Sequence, residues 1–318
     1  VSAWYLLTGR HQALAKRSLT VAASFGLASA LSVVVLGDES GYTATINQKM
    51  KIAAIEAMGE TETPPASFTL YGIPDQARHI TRDPIRIPWL LGLIATRSLD
   101  EPVQGINQLV AAAEQRIRNG LIGYRLLADM RQHPEAAISP STQPFLDDLG
   151  YALLLKRYAA DIASASDAQI HQAALDTVPD VLVLFWAFRV MVACGLYFIL
   201  LFALAFYLAS RRRIEQGWFL GLALVSLPLP WIAAELGWIV AEYGRQPWVV
   251  ESVLPTFLGA STLPAGNVWL SIAGFVLFYS TLAIVDVYLM VKYIRIGPEP
   301  SPASDSRAAP ALGEGLRR

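Results

Sequence analysis

Apolar residues run almost unbroken over 18–36, 181–210, 218–241 and 267–291, while polar residues are interspersed throughout the stretch between the first two. About 20 mostly apolar residues make a helix long enough to cross roughly 30 Å of hydrocarbon. The pattern therefore predicts four transmembrane helices. Pro228 and Pro230 fall inside the third and predict a kink there. The 37–180 stretch is too long to be a plain connector. Within it, 46–58 reads as a helix, with Pro64 and Pro65 beyond its end. A second helix is expected over 104–131, where Ile106, Leu109, Val110, Ala113, Ile117 and Leu121 recur on one face. Further helices are expected over 144–160 and 167–176, and Pro179 prepares the return to the membrane.

Charge gives the spans a direction. Arg10, Lys16 and Arg17 precede the first span, Asp38 and Glu39 follow it, Arg211, Arg212 and Arg213 join the second to the third, and Lys292 and Arg295 end the fourth. Basic residues collect on the cytoplasmic side, so the four spans alternate without conflict and 37–180 and 242–266 face outward. Trp218, Trp248 and Trp269 fall at the expected interfaces. The expected fold class is an all-α integral membrane protein, with four transmembrane helices and a long, mainly helical extracytoplasmic loop. Its divisions are 1–36, the loop 37–180, the three spans of 181–296, and a Pro-, Ala- and Ser-rich tail over 297–318 that is expected to be disordered. Residues 1–7 (VSAWYLL) lack a basic signal region and read as the end of a further apolar span.

Composition agrees with a chain shared between lipid and water: 54% of residues are hydrophobic and 16% charged. A formal net charge of −1 gives no reason to expect a nucleic-acid partner. The single cysteine, Cys194, excludes an internal disulfide and a cysteine-built metal site.

Ionisable residues within spans are costly and usually functional. The second span carries Arg189 beside Met191, the third Glu235 and Glu242, the fourth Asp286. At about 100° per residue, Glu235, Trp238, Glu242 and Arg245 fall within about 80° of one another. Plainer roles exist for each. Met191 could be core filler, Arg189 could pair with a carboxylate of another span, and Lys51 and Glu56 could be surface charges. None of His11, His79, His133 and His171 lies in a span.

Several strings carry a resemblance. In order they are GDESGY (37–42), KIAAIE (51–56), LYGIPD (70–75), IATRS (94–98), RIRNG (116–120), DLGYALLLKRY (148–158), AFRVMVACG (187–195) and PWIAAELGWIVAEYGRQPW (230–248). Together they closely resemble subunit I of the cytochrome bd quinol oxidases, from the first residues to about Gly297. The resemblance implies the last four spans of a nine-span subunit, with a loop of the family's long form. It also implies three cofactors, namely a low-spin heme b, a high-spin heme b and a heme d. The family's histidine ligands to the low-spin heme and the high-spin pair have no counterpart here, so these residues alone are not expected to hold the hemes.

Residue by residue, the resemblance makes Met191 an iron ligand of the low-spin heme and places Arg189 at that heme's edge or propionates. It makes Glu242 an iron ligand at one of the high-spin hemes, with Trp238 and Arg245 packed against the same group and Trp248 close by. A thioether ligand raises an iron's potential, which suits a first electron acceptor. Lys51 and Glu56 become quinol-binding residues. Glu235 and Asp286 could assist proton or propionate chemistry. Gly59 departs from the pattern, falling where relatives tend to place a tryptophan. The implied partners are subunit II, a small accessory single-span subunit, quinol, oxygen and membrane lipid, with no nucleic acid. The implied place is the bacterial inner membrane, with the loop periplasmic and the C-terminus cytoplasmic. The rival readings are a membrane receptor or scaffold with a sensory loop, and a transporter relaying protons through Glu235 and Glu242.

Overall fold

A computed structural model describes residues 1–132 and 140–298 of the chain. His133 and the tail from 299 onward lie outside the described residues. Among those described, four helices are long and apolar enough to cross a membrane: Gln12–Asn47, Val181–Ser210, Gly217–Tyr243 and Ala265–Ile296. In chain order the helices are α1 (Ser2–Leu7), α2 (Gln12–Asn47), α3 (Lys49–Ile55), α4 (Ile106–Gln132), α5 (Gln143–Asp147), α6 (Leu149–Leu153), α7 (Asp167–Leu175), α8 (Val181–Ser210), α9 (Gly217–Val225), α10 (Leu229–Trp238) and α11 (Ala265–Ile296).

The first span outruns its expected limits at both ends, and on the C-terminal side 37–47 holds no proline to stop the helix. The expected loop helix over 46–58 breaks at Gln48, whose backbone leaves the helical region, so α3 is a separate seven-residue piece. The third span breaks where the prolines foretold, with α9 ending at Val225 and α10 restarting after Pro228. A π-helical turn over Ile239–Tyr243 completes it.

The chain divides into two compact units. One gathers 1–22, 209–224 and the described residues from 262 on. There, Tyr5 Oη donates to the carbonyl of Ile294 at 2.9 Å, and Arg10 donates to that of Arg295 at 2.9 Å. These donors satisfy carbonyls that the end of α11 leaves open, and a cation there suits the helix dipole. Lys16 and Glu215 pair at 2.5 Å.

The other unit spans 23–208 and 225–261. Its core forms on the face of α4 that the periodicity marked. Ile106, Val110, Ala113, Ile117 and Leu121 are buried there with Tyr151 and Ala152 of α6, Ala173 and Ala174 of α7, and Leu184 and Phe185 of α8. Leu109 is only partly buried. Ser166 and Gln169 cap α7 reciprocally, the capping box that the Ser-x-x-Gln spacing allows.

The loop is less purely helical than expected. Strands β1 (Phe68–Asp75) and β2 (Ile80–Ile87) form an antiparallel hairpin. Asp75 and Arg82 bridge it at 2.6 Å. β-Branched residues at Thr69, Ile73, Ile80, Thr81, Ile85 and Ile87 favour strands, while Pro74 and Pro84 hide the signal. The hairpin tip is tied to the start of α8, since Gln76 Oε1 accepts from the Val181 N–H at 2.8 Å and Gln76 Nε2 donates to the Pro179 carbonyl at 3.3 Å. A second, smaller hairpin, β3 (Trp248–Val250) with β4 (Leu254–Pro255), follows the π-helical turn.

Candidate functional site

The recurring strings of the sequence meet in pairs. Arg97 of IATRS binds Asp38 at 2.8 Å and Glu39 at 2.7 Å, both in GDESGY. Arg116 of RIRNG binds Asp148 of DLGYALLLKRY at 2.6 Å. Arg189 of AFRVMVACG binds Glu56 of KIAAIE at 3.1 Å.

The last of these is the most buried ion pair among the described residues, its two side chains being 6% and 4% exposed. Arg189 projects from α8 into a nest of backbone acceptors. Its Nε donates to the Thr69 carbonyl at 2.8 Å, and one Nη to those of Ile55 at 2.7 Å and Phe185 at 3.1 Å. The other Nη reaches Glu56 and, again, Thr69. A guanidinium has five N–H groups, and five bonds are made. Its plane also lies over the Phe185 ring, 3.4 Å from the centroid. The side chain's five donors thus join α3, β1 and α8. Arg189 does pair with a carboxylate, as the plainer reading had it, but with one from the loop rather than another span.

Glu56 reaches this place because Ala57, at φ +49°, turns the chain sharply after α3. Its carboxylate also accepts from the Thr69 N–H at 3.4 Å. Burial pushes the Glu56 carboxyl up to about 7, against the pull of the Arg189 guanidinium and the Thr69 N–H. Lys51 lies five residues earlier, about 140° around a helix, and looks elsewhere. Its ammonium donates to Gln48 Oε1 at 3.0 Å and to the Ala241 carbonyl at 3.3 Å. Burial and the nearby Arg245 lower its pKa, with Glu242 and Glu251 opposing. The two expected quinol residues thus point to different surroundings.

Gly59 follows this turn. A Cβ there would lie 1.6 Å from the His79 carbonyl oxygen at the hairpin tip. No side chain fits while the hairpin keeps its place. Gly59→Ala should cost about 1–3 kcal/mol of loop stability, read as faster proteolysis between β1 and β2. An unchanged rate would contradict the close approach.

The other expected residues gather on α8 and the third span. Met191 faces α10, its Sδ 3.2 Å from where a Cβ on Gly237 would stand. Trp238, beside that glycine, is 62% exposed. At the π-helical turn Glu242 and Arg245 pair at 2.5 Å, and π-turns often mark functional sites. Arg245 Nε is a buried donor with no partner among the described residues. Glu235 sits exposed on α10, and Asp286 is exposed on α11. Trp248 needs correcting. It is 3% exposed, its ring 5.0 Å from that of Tyr151, so it packs the loop core and not a membrane interface.

These residues fit a heme-binding wall. A half-exposed thioether stands opposite a glycine, an exposed indole adjoins it, a half-exposed carboxylate follows, and Arg245 keeps one buried donor uncommitted. An uncommitted guanidinium N–H suits a propionate.

Sequence reasoning missed Glu251, at the turn of the β3–β4 hairpin. Burial raises its carboxyl to about 7, with Arg116 and Lys51 pulling it down. Nothing in the periodicity marks it, because its position depends on a hairpin of only a few residues.

Comparison with known proteins bears on all of this. The family model described as "Cytochrome bd terminal oxidase subunit I" matches residues 1–298. The chain is 39% identical over 300 residues to the "Cytochrome bd-II ubiquinol oxidase subunit 1" of Escherichia coli, covering 94% of this chain and 58% of the relative. It is 26% identical over 301 residues to the "Cytochrome bd ubiquinol oxidase subunit 1" of Bacillus subtilis, covering 94% and 53%. The bd oxidase structure from Geobacillus thermodenitrificans shares the fold, with a TM-score of 0.62 at 23% identity over 93% of this chain and 53% of that one. The chain thus spans somewhat more than half the length of these two curated relatives. It belongs to the cytochrome bd terminal oxidase subunit I family.

Proposed function

We propose that the chain works as part of a bd-type terminal oxidase, oxidising quinol at the outer membrane face and reducing oxygen to water. The observation that carries this reading is the buried lock of Arg189 on Glu56, Thr69 and Ile55. It ties the loop assigned to quinol directly to α8, the helix that presents Met191. A sensory loop needs no such tie, and membership of the family leaves the receptor and transporter readings without support.

Met191 would hold the iron of a low-spin heme b, and Glu242 an iron of the high-spin pair, heme b and heme d. Arg245 would meet propionates through its free Nε, and Trp238 would pack on a macrocycle. The hemes, when bound, supply the electron carriers and the iron at which oxygen is reduced. The protein's own residues bind and orient quinol, accept its protons on the outer side and shield the route from water. Release of those protons outside, with uptake for water formation from the cytoplasm, builds a proton motive force without pumping. The loop 37–180 is periplasmic in this reading, the C-terminus is cytoplasmic, and the membrane is the bacterial inner one. Subunit II, a small accessory single-span subunit and lipid complete the assembly. An oxidase assembled with this chain should consume oxygen when given ubiquinol. Absence of quinol-driven uptake would overturn the reading.

A further inference from the structure

A cavity of about 400 Å³ opens between α3, α4, α6 and the turn of the β3–β4 hairpin. Ligand sites begin at about 300 Å³. Its wall carries three cations, Lys49, Lys51 and Arg116, one carboxylate, Glu251, and the aromatic residues Tyr151 and Trp248. Arg116 is held firmly, by Asp148 at 2.6 Å, by Ser252 Oγ at 3.4 Å and with its guanidinium 4.1 Å from the Tyr151 ring centroid. Lys51 is held by Gln48 and the Ala241 carbonyl. The GRQPW string fixes the carboxylate's position. Trp248 is packed into the core, Thr256 Oγ1 donates to Gln246 Oε1 at 2.6 Å, and the hairpin then turns at Ser252, with φ +63°.

Glu56 and Glu251 are differently placed. Glu56 is 4% exposed and tied to Arg189, whereas Glu251 lines the cavity and meets Arg116 and Lys51 through space. We propose that Glu251 is the proton-accepting carboxylate of a diphenol-headgroup site in this cavity, with Lys51 facing the ring oxygen that loses the proton. The proposal rests on the quinol-oxidising reading above. In the step, the O–H bond of one ring hydroxyl breaks and its proton bonds to a carboxylate oxygen of Glu251. The electron pair stays on the ring oxygen, whose new charge faces the Lys51 ammonium. A carboxyl raised to about 7 by burial is a stronger base than an ordinary glutamate and is matched to neutral pH. The charged and titratable groups that share the cavity with it are Lys49 and Lys51 from α3, Arg116 from α4 with its partner Asp148, and Tyr151 from α6. Arg245 and Glu242 act on Lys51 electrostatically.

The test uses the assembled oxidase and a short-chain ubiquinol. In the parent enzyme kcat/KM should fall on the acid side of about pH 7. Glu251→Gln should remove that limb and lower the plateau about 10²-fold, the scale of a lost general base. Glu251→Asp should keep a limb, and so should Glu56→Gln. A limb that survives in Glu251→Gln, or is lost only in Glu56→Gln, overturns the proposal. A second measurement avoids turnover. The infrared carboxyl band missing in Glu251→Gln should shift when a hydroxyquinoline N-oxide binds, and Lys51→Met should weaken that binding about tenfold. An unshifted band overturns the proposal as well. Should the parent enzyme show no quinol-driven oxygen uptake, the oxidase reading falls by itself, and the infrared result still judges the cavity.

Discussion

Arg189→Leu is expected to release α3 and the β1–β2 hairpin from α8, weakening loop docking by about 3–5 kcal/mol. That is the usual cost of removing one partner from a buried ion pair. The substitution strands more than the Glu56 carboxylate. The carbonyls of Thr69 and Ile55 lose their donors at the same time. Arg189→Lys should not rescue it, since an ammonium has three donors and no planar fork for five bonds. Limited proteolysis of the hairpin reads the effect, and an unchanged cleavage rate would contradict the lock.

The sign of the pH dependence follows from Glu56. Burial raises its carboxyl to about 7, above the ordinary glutamate value of 4.5, so the folded loop holds the proton more tightly than the unfolded chain. This contribution to stability is complete below about 4.5 and is lost as pH rises through about 7. Without Arg189 the carboxylate loses its main stabilising charge, so the defect in Arg189→Leu should grow with pH. In Glu56→Gln this dependence should vanish.

Much of the architecture was legible from patterning alone. Four spans, the proline break at 226–228 and the buried face of α4 all follow from local rules of length, ring geometry and helical period. The two hairpins were not legible. β1 and β2 carry prolines that mask their strand character, and β3–β4 is too short for any period to appear. Those hairpins matter most to the site. Arg189 was singled out as a costly residue within a span, but its partners come from β1 and the end of α3, more than a hundred residues away in sequence. The same distance hides the split between Lys51 and Glu56, which share a short string and face different groups. Trp248 was misplaced because aromatic residues near span ends usually sit at interfaces, whereas this one closes a core with Tyr151. Glu251 was invisible for the opposite reason, being an ordinary glutamate until a four-residue turn brings it into the cavity that Arg116 and Lys51 line.

The central claim is that α8 presents a heme ligand to the space that Gly237 keeps clear. A thioether raises the potential of the iron it binds, and leucine cannot bind iron at all. Met191→Leu conserves volume, so helix packing should change by less than about 1.5 kcal/mol. The most direct measurement is the reduced-minus-oxidised spectrum of the assembled oxidase carrying Met191→Leu. The low-spin heme b signal should be altered or lost while the high-spin b and d signals persist. A low-spin signal identical to that of the parent enzyme would contradict the assignment.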